Sequence, residues 1–329
     1  MLDYNPLFHP FELPVQKLIV SCVTEQHLFL EPHEGSTPGT TLSGVFGTAL
    51  WLSVCHNRSN GACHTQNPQC QEPSKCILPW LYKPYSKVQH RNFARPVLLR
   101  STELEGIEPV NVFSLEVTLW GRHAIAFQDA VIETLKKMGE LGLTSKGTSI
   151  PFTITDIQTM PCLTLAERIE SLPQTPSVLL EFQTPFLHVE TKSQNRHQFH
   201  TAEQLPIVNI LGNVAYNLAA WDMEDRDLGE KLESKVRHNL ARDTRDMAWE
   251  IAERLFIRRT HLSPVKIGKR YSRGNRQTML LQGFVGLVEL SGDLENALPW
   301  LLVLALGGGG QKRSMGFGSV KMWLDSTVT

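Results

Sequence analysis

Apolar and polar positions alternate along Val110–Trp120 (VNVFSLEVTLW), and β-branched residues fill Val15–Val23; both stretches read as strands. Thr40–Val54 instead places apolar residues at 42, 45, 46, 49, 50 and 54, the spacing of one helical face, with Thr40, Thr41 or Ser43 positioned to cap it. His123–Leu141 repeats the helical spacing, and Ile150–Thr159 reads as a third strand. Strand, helix, strand, helix, strand is the skeleton of a ferredoxin-like unit. The two prolines of Ser171–Ser177 (SLPQTPS) then mark a linker, after which the pattern restarts. It predicts a strand at Val178–Phe182, helices at Leu205–Ala220 and Leu228–Arg258, and strands at Val265–Tyr271 and Met279–Leu290. A helix at Asp293–Leu306 and a last strand at Val320–Leu324 follow. The second half is therefore expected to repeat the architecture of the first, although no residue-level repeat is visible.

The chain has 329 residues, 41% apolar and 20% charged, a globular balance with length for two domains. These are placed at 1–172 and 173–329, with an irregular insert at about 55–80. No apolar run approaches the roughly 18 residues of a membrane span. The start, MLDYNPLFHPFELP, lacks the basic segment of a secretory signal, so the expectation is a cytoplasmic protein with no membrane association.

Four of the six cysteines, Cys55, Cys63, Cys70 and Cys76, lie in the insert without a CxxC pair. Isolated thiols are the expected state. A zinc site completed by His56 or His64 is the alternative. No cofactor is expected. The tryptophans Trp51, Trp120, Trp221, Trp249 and Trp300 fall on helix or strand patterns and are expected in the core.

The net charge is −1, so any basic surface must be local. Residues 254–276 (RLFIRRTHLSPVKIGKRYSRGNR) hold eight lysines or arginines and no acid. Within them Lys269, Arg270, Arg273 and Arg276 surround Tyr271, and cations beside an aromatic platform suit an RNA backbone with an unstacked base. The alternative is a solvated charged face paired with acids elsewhere. Further on, Gly307–Gly318 (GGGGQKRSMGFG) is half glycine and carries Lys312 and Arg313. Bare amides there are expected to form a concave nest for phosphate, with the two cations as added donors. Neither a Walker loop nor a dinucleotide fingerprint fits: Gln311 precedes Lys312, and the loop joins a helix to a strand.

Gly308-x-Gly310, five residues with two cations, then Gly316-Phe317-Gly318 resembles the C-terminal signature of the RAMP superfamily of CRISPR proteins. Within it the chain is similar to the endoribonucleases that cut CRISPR precursor transcripts inside their repeats, family six of the CRISPR-associated proteins. Leu42-Ser43-Gly44 resembles that family's Leu-Arg-Gly helix start, with Ser43 in place of the arginine. Tyr82-Lys83-Pro84, Arg95–Leu99, Phe182-Gln183-Thr184-Pro185 and Gly283–Gly286 resemble further segments of it, in order.

The resemblance implies two tandem ferredoxin-like domains, an α+β fold with the cysteine-bearing insert in the first. It implies RNA contacts from Gly308, Gly310, Lys312, Arg313, Ser314, Gly316 and Gly318. It also implies cleavage without metal, by attack of a ribose 2′-OH on the adjacent phosphate. The family's general base stands just after the first helix, which points to His56; His33, just before the helix, is second. CRISPR repeat RNA or guide RNA, and other CRISPR effector subunits, are the implied partners. A RAMP subunit that holds guide RNA without cutting it is the alternative.

Overall fold

The computed structural model describes residues 10–30, 37–55, 77–82, 85–86, 91–92, 95–106, 108–145, 147–187, 205–226, 233–272, 277–310, 313 and 316–324; at 79–80, 85–86, 91–92, 234, 269–272 and 277–282 only the backbone is described. Contacts divide the chain into two units. One takes 15–30 and 37–162 of the described residues, the other 10–14 and the part from 163 onward. The division thus falls ahead of the proline-bearing stretch 171–177. A short helix, Leu165–Glu170, belongs to the second unit: Leu165 is fully buried and its amide donates to the Leu13 carbonyl at 3.2 Å.

The first unit is built from β1 (Pro14–Leu28), α1 (Pro38–Val54), β2 (Val97–Arg100), β3 (Val110–Trp120), α2 (Gln128–Leu141) and β4 (Thr153–Thr159). Its sheet runs β2-β3-β1-β4 in antiparallel register. A central β1 flanked by the third and fourth strands is the ferredoxin-like order. The alternating burial of β1 follows from its sequence: Leu18, Val20 and Cys22 turn inward against Leu42, Phe46 and Leu50 of α1 and Leu135 and Met138 of α2. β2, only four residues long, is the strand that the periodicity missed. The helix expected over His123–Leu141 is two helices, Gly121–Ala126 and α2.

The second unit repeats the order with β5 (Val178–Phe186), α3 (Ile207–Asp225), α4 (Ser234–Ala252), β6 (Leu255–Ser272), β7 (Gln277–Gly292), α5 (Leu294–Gly307) and β8 (Val320–Leu324). Its sheet is β6-β7-β5-β8, again with the first strand central. Inward residues of β5 (Val178, Leu180, Phe182, Phe186) are fully or almost fully buried, as are Leu211 and Leu218 of α3 and Leu301 and Leu304 of α5. The helix expected to reach Arg258 stops at Ala252, because Leu255–Ile257 already pair with Leu290–Gly292 of β7. The two α+β units agree with the fold class read from the sequence. Among the described residues no helix is long and apolar enough to cross a membrane. Trp120, Trp221 and Trp300 are buried, whereas Trp51 and Trp249 are only half-buried.

Two glycines of α1 face opposite demands. Nothing lies within 4 Å of a Cβ built on Gly44, whereas one built on Gly47 would sit 2.0 Å from the Tyr82 ring. Gly44→Ala is expected to stabilise the first unit by about 1 kcal/mol through helix propensity, and Gly47→Ala to destabilise it by about 1–3 kcal/mol through overpacking. Urea unfolding of the two variants checks the opposite signs.

Candidate nucleic-acid interface

α5 ends where Gly308 turns to φ 67° as its C-cap. The chain then passes through Gly310 at φ 71°, Gly316 at φ 82° and Gly318 at φ 70° before entering β8. Closure of this turn needs glycine for space as well as for φ. A Cβ on Gly318 would lie 1.9 Å from the Gly309 carbonyl oxygen, and one on Gly309 would lie 2.7 Å from the Phe186 ring. The Gly309 amide donates to the Gly318 carbonyl at 2.9 Å, the Gly318 amide to the Pro185 carbonyl at 3.1 Å, and the Gly316 amide to the Arg313 carbonyl at 3.0 Å. Three amides of the loop are therefore not the bare donors that the expected nest called for. These three donors are committed to protein carbonyls, two by closure of the turn on itself and the Gly318 amide by the packing of the turn on the end of β5.

β5 is bolted to the turn a second time: the Ser319 amide donates to Thr184 Oγ1 at 2.9 Å, and the Gln183 amide to the Ser319 carbonyl at 3.0 Å. Phe182, Phe186 and Phe284 pack their rings at centroid distances of 4.9–5.3 Å. A Cβ on Gly283 would meet the Phe186 carbonyl oxygen at 2.6 Å. The segments Phe182–Pro185, Gly283–Gly286 and Gly308–Gly318, far apart in the chain, thus converge at one end of β5.

Arg313 is half-buried. Its Nη1 donates to the Gly308 carbonyl at 3.3 Å, and its guanidinium stands 5.3 Å from the centroid of the Trp221 ring. It braces the turn while holding a positive charge there. Lys312 and Ser314 lie outside the described residues.

The basic stretch lies on β6, at the edge of the sheet. Up to Phe284, β7 pairs with both β5 and β6; from the Val265–Gly283 pair to Ser272–Gln277, β6 and β7 continue together as a two-stranded ribbon. Lys269, Arg270 and Tyr271 are on this ribbon, opposite Leu280, Met279 and Thr278. Arg273 and Arg276 lie outside the described residues. Nearer the sheet, Arg254 pairs with Asp293 at 2.9 Å, and Arg258 and Arg259 share Glu289 at 3.5 and 3.7 Å. The alternative of a face paired with acids therefore holds for part of the stretch.

In the first unit, α1 is capped by Thr37, whose Oγ1 accepts from the Thr40 amide while Thr40 Oγ1 accepts from the Thr37 amide; the cap was expected at Thr40, Thr41 or Ser43. Pro38 at the first helical position has no amide to satisfy. The next, Gly39, donates to Glu105 Oε1 at 3.1 Å. Burial pushes the Glu105 carboxyl up to about 7 against the opposing pull of that amide. Tyr82 fits the notch at Gly47, its hydroxyl donating to the Ser43 carbonyl at 3.4 Å; Arg95 stacks 3.6 Å from the Tyr82 centroid and donates to Ser43 Oγ at 2.8 Å.

α1 ends at Val54 with Cys55 as a buried C-cap thiol. His56 follows directly in sequence; it, His33, His64, Cys63, Cys70 and Cys76 lie outside the described residues. Among the described residues no group of three or more His, Cys, Asp or Glu side chains could hold a metal ion. Glu105 carried no sequence signal, since it sits in a turn without periodicity. Trp323 did carry one, because it is out of phase with buried Val320 on β8.

Residues 180–320 match the family of the CRISPR-associated endoribonuclease Cas6, and residues 13–175 match a family described as an N-terminal domain. No curated protein matches the chain. Solved structures are similar in fold. A Cas6 product complex superposes with a TM-score of 0.51 at 14% identity, covering 95% of this chain and 100% of that one. Thermus thermophilus Cas6 gives a TM-score of 0.51 at 13% identity over 94% and 99%. A partial Cas6-RT-Cas1–Cas2 complex gives 0.50 at 12% identity, over 96% of this chain and 47% of that one.

Two outcomes are expected. Gly318→Ala forces a side chain against the Gly309 carbonyl at positive φ, and should lower the thermal stability of the protein by several degrees, read by calorimetry. For Glu105 the folded pKa lies above the ordinary 4.5, so the stability it contributes is full below about pH 4.5 and is lost as pH rises through about 7. Glu105→Gln should remove that loss, leaving the variant more stable than wild type at pH 8 by up to about 3 kcal/mol and near parity at pH 5. Urea unfolding at both pH values checks it.

Proposed function

We propose, from the match of residues 180–320 to the family of the CRISPR-associated endoribonuclease Cas6, that this chain belongs to that family and cuts CRISPR precursor RNA within the repeats to make guide RNA. The observation that carries the reading is the convergence at the end of β5 of the strand end, the phenylalanine cluster and the closed glycine turn, on the same unit as the basic ribbon.

In the proposed reaction a ribose 2′-oxygen loses its proton and bonds to the adjacent phosphorus, while the bond from phosphorus to the 5′-oxygen breaks and that oxygen takes up a proton. The products are a 2′,3′-cyclic phosphate and a 5′-hydroxyl, and no metal is required. The chain must align the two oxygens in line, accept a proton near neutral pH and stabilise charge on the phosphorane. Histidine suits the proton transfer. His56, next after the α1 C-cap, is the proposed base, and His33 the second candidate. With the amides of Gly309, Gly316 and Gly318 turned inward, phosphate contact at the turn falls to side chains. Lys312 and Arg313 are proposed for it, with Ser314 beside them. Gly308 and Gly310 shape the turn so that the transcript passes close to the backbone. Lys269, Arg270, Arg273 and Arg276 are proposed to hold the backbone along the ribbon, with Tyr271 against a base. The protein is proposed to keep its product and to join other CRISPR effector subunits; a relative of this fold in a Cas6-RT-Cas1–Cas2 complex supports that partnership.

Purified protein with end-labelled repeat RNA in EDTA tests the reading. One cut bearing a cyclic phosphate end is expected. His56→Ala should slow cleavage by about 10²–10⁴-fold with repeat affinity kept. Cutting that needs added magnesium would defeat the metal-free mechanism, and tight binding without product by the wild type would defeat the enzyme.

A further inference from the structure

β6 carries a bulge between Ile257 and Arg259 in its pairing with β7. A bulge sets an extra residue of one strand against its partner and re-aims a side chain. Here two consecutive arginines reach the same outward carboxylate, Glu289, with Arg258 at 55% and Arg259 at 88% side-chain exposure. Regular alternation would have sent one of them to the opposite face.

The register places Arg259, Glu289, Leu179 and Trp323 in one row across the four strands, with His261, Leu287, Glu181 and Lys321 in the next. This is the sheet face turned away from the buried Val178, Leu180 and Phe182. Trp323 is 46% exposed, yet its ring is held: the indole N–H donates to Glu181 at 3.1 Å, and the Lys321 ammonium stands 4.0 Å from the ring centroid. An open groove of about 720 Å³ follows the face between Trp323 and the two arginines. At about 4.8 Å per strand the row spans roughly 14 Å, room for a few unstacked nucleotides.

We propose that this outward face is a second RNA contact, a platform for unpaired nucleotides of the same transcript, with Trp323 as the stacking ring and Arg258 and Arg259 as the backbone contacts. The assignment rests on the RNA-processing reading and extends it. Three observations select RNA as the occupant. A fixed, exposed indole offers a π face that tolerates any base. Three fixed cations, Arg258 at the bulge with Arg259 and Lys321 in the rows, face the two acids Glu289 and Glu181, and those acids supply acceptors for base amino groups. The arginines also stand on the strand that continues into the basic ribbon, so a transcript held on the ribbon is led along β6 onto the face.

The probe is a fluorescent single-stranded oligouridylate of about 12 nucleotides, long enough for such a site, read by anisotropy at several salt concentrations. Trp323→Ala should weaken binding about tenfold and Trp323→Phe should restore most of it. Arg259→Gln should reduce the slope of log affinity against log salt by about one. Unchanged binding by Trp323→Ala, or equal loss in the alanine and phenylalanine variants, would overturn the platform. Loss of a protein partner with oligouridylate affinity kept would reassign the face to protein and overturn it as well. Repeat RNA run in parallel separates the two levels: a wild type that cuts repeats while Trp323→Ala binds the oligomer normally sinks the platform alone, whereas a wild type that neither binds nor cuts repeats sinks the reading beneath it.

Discussion

A single backbone hydrogen bond, from the Gly309 amide to the Gly318 carbonyl, closes the turn on which the second unit's candidate interface depends. A β-carbon on Gly318 would strike the Gly309 carbonyl, and one on Gly309 would strike Leu304 and the Phe186 ring. The same closure seats the turn on Phe186 and lets the Gly318 amide reach Pro185 and the Ser319 amide reach Thr184. The glycines therefore serve approach between protein backbones first. What the turn presents to a ligand is set by the side chains that this closure leaves at its rim.

That division explains what was legible in the sequence. The strand and helix periods gave both units, because Leu18, Val20 and Cys22, or Val178, Leu180 and Phe182, alternate strictly where one face of a strand is buried. β2 escaped because four residues carry too little period to register. The end of α4 was misplaced because Leu255-Phe256-Ile257 fits a helix and a strand equally until β7 supplies a partner. The glycine run was legible as a motif, but the direction of its amides was not: Pro185 and Thr184, which take up two of the donors, come from a strand more than a hundred positions earlier.

The candidate site divides in the same way. Arg313 was found by its place between glycines, yet its bracing of Gly308 and its approach to Trp221 depend on α3 lying beneath the turn. Glu105 left no pattern, because it reaches the helix start from a turn; the segments of Tyr82 and Arg95 were legible as a resemblance, but their contacts with the notch and with Ser43 were not. Gly47 is the counterpart of that notch in α1. Ser43 gains a guanidinium from Arg95, so a cation stands beside this helix turn although the sequence has none at that position.

Charge follows from these packing choices. A chain of net charge −1 has little long-range attraction for a polyanion, so affinity must come from cations concentrated on one element. β6 supplies them, and its bulge at Arg258 keeps two of them on one side of the sheet where a regular strand would alternate. Glu289 and Asp293 temper the cations nearest the sheet, leaving the ribbon beyond Val265 without acids on β6. In the proposed reading each phosphate neutralised there releases counterions, so binding along the ribbon weakens steeply with salt. Stacking on Tyr271 or Trp323 carries little of that salt dependence. In the proposed reading the two contributions are separable in the same molecule: charge sets how strongly a transcript is gathered, and aromatic faces set where its unpaired bases come to rest.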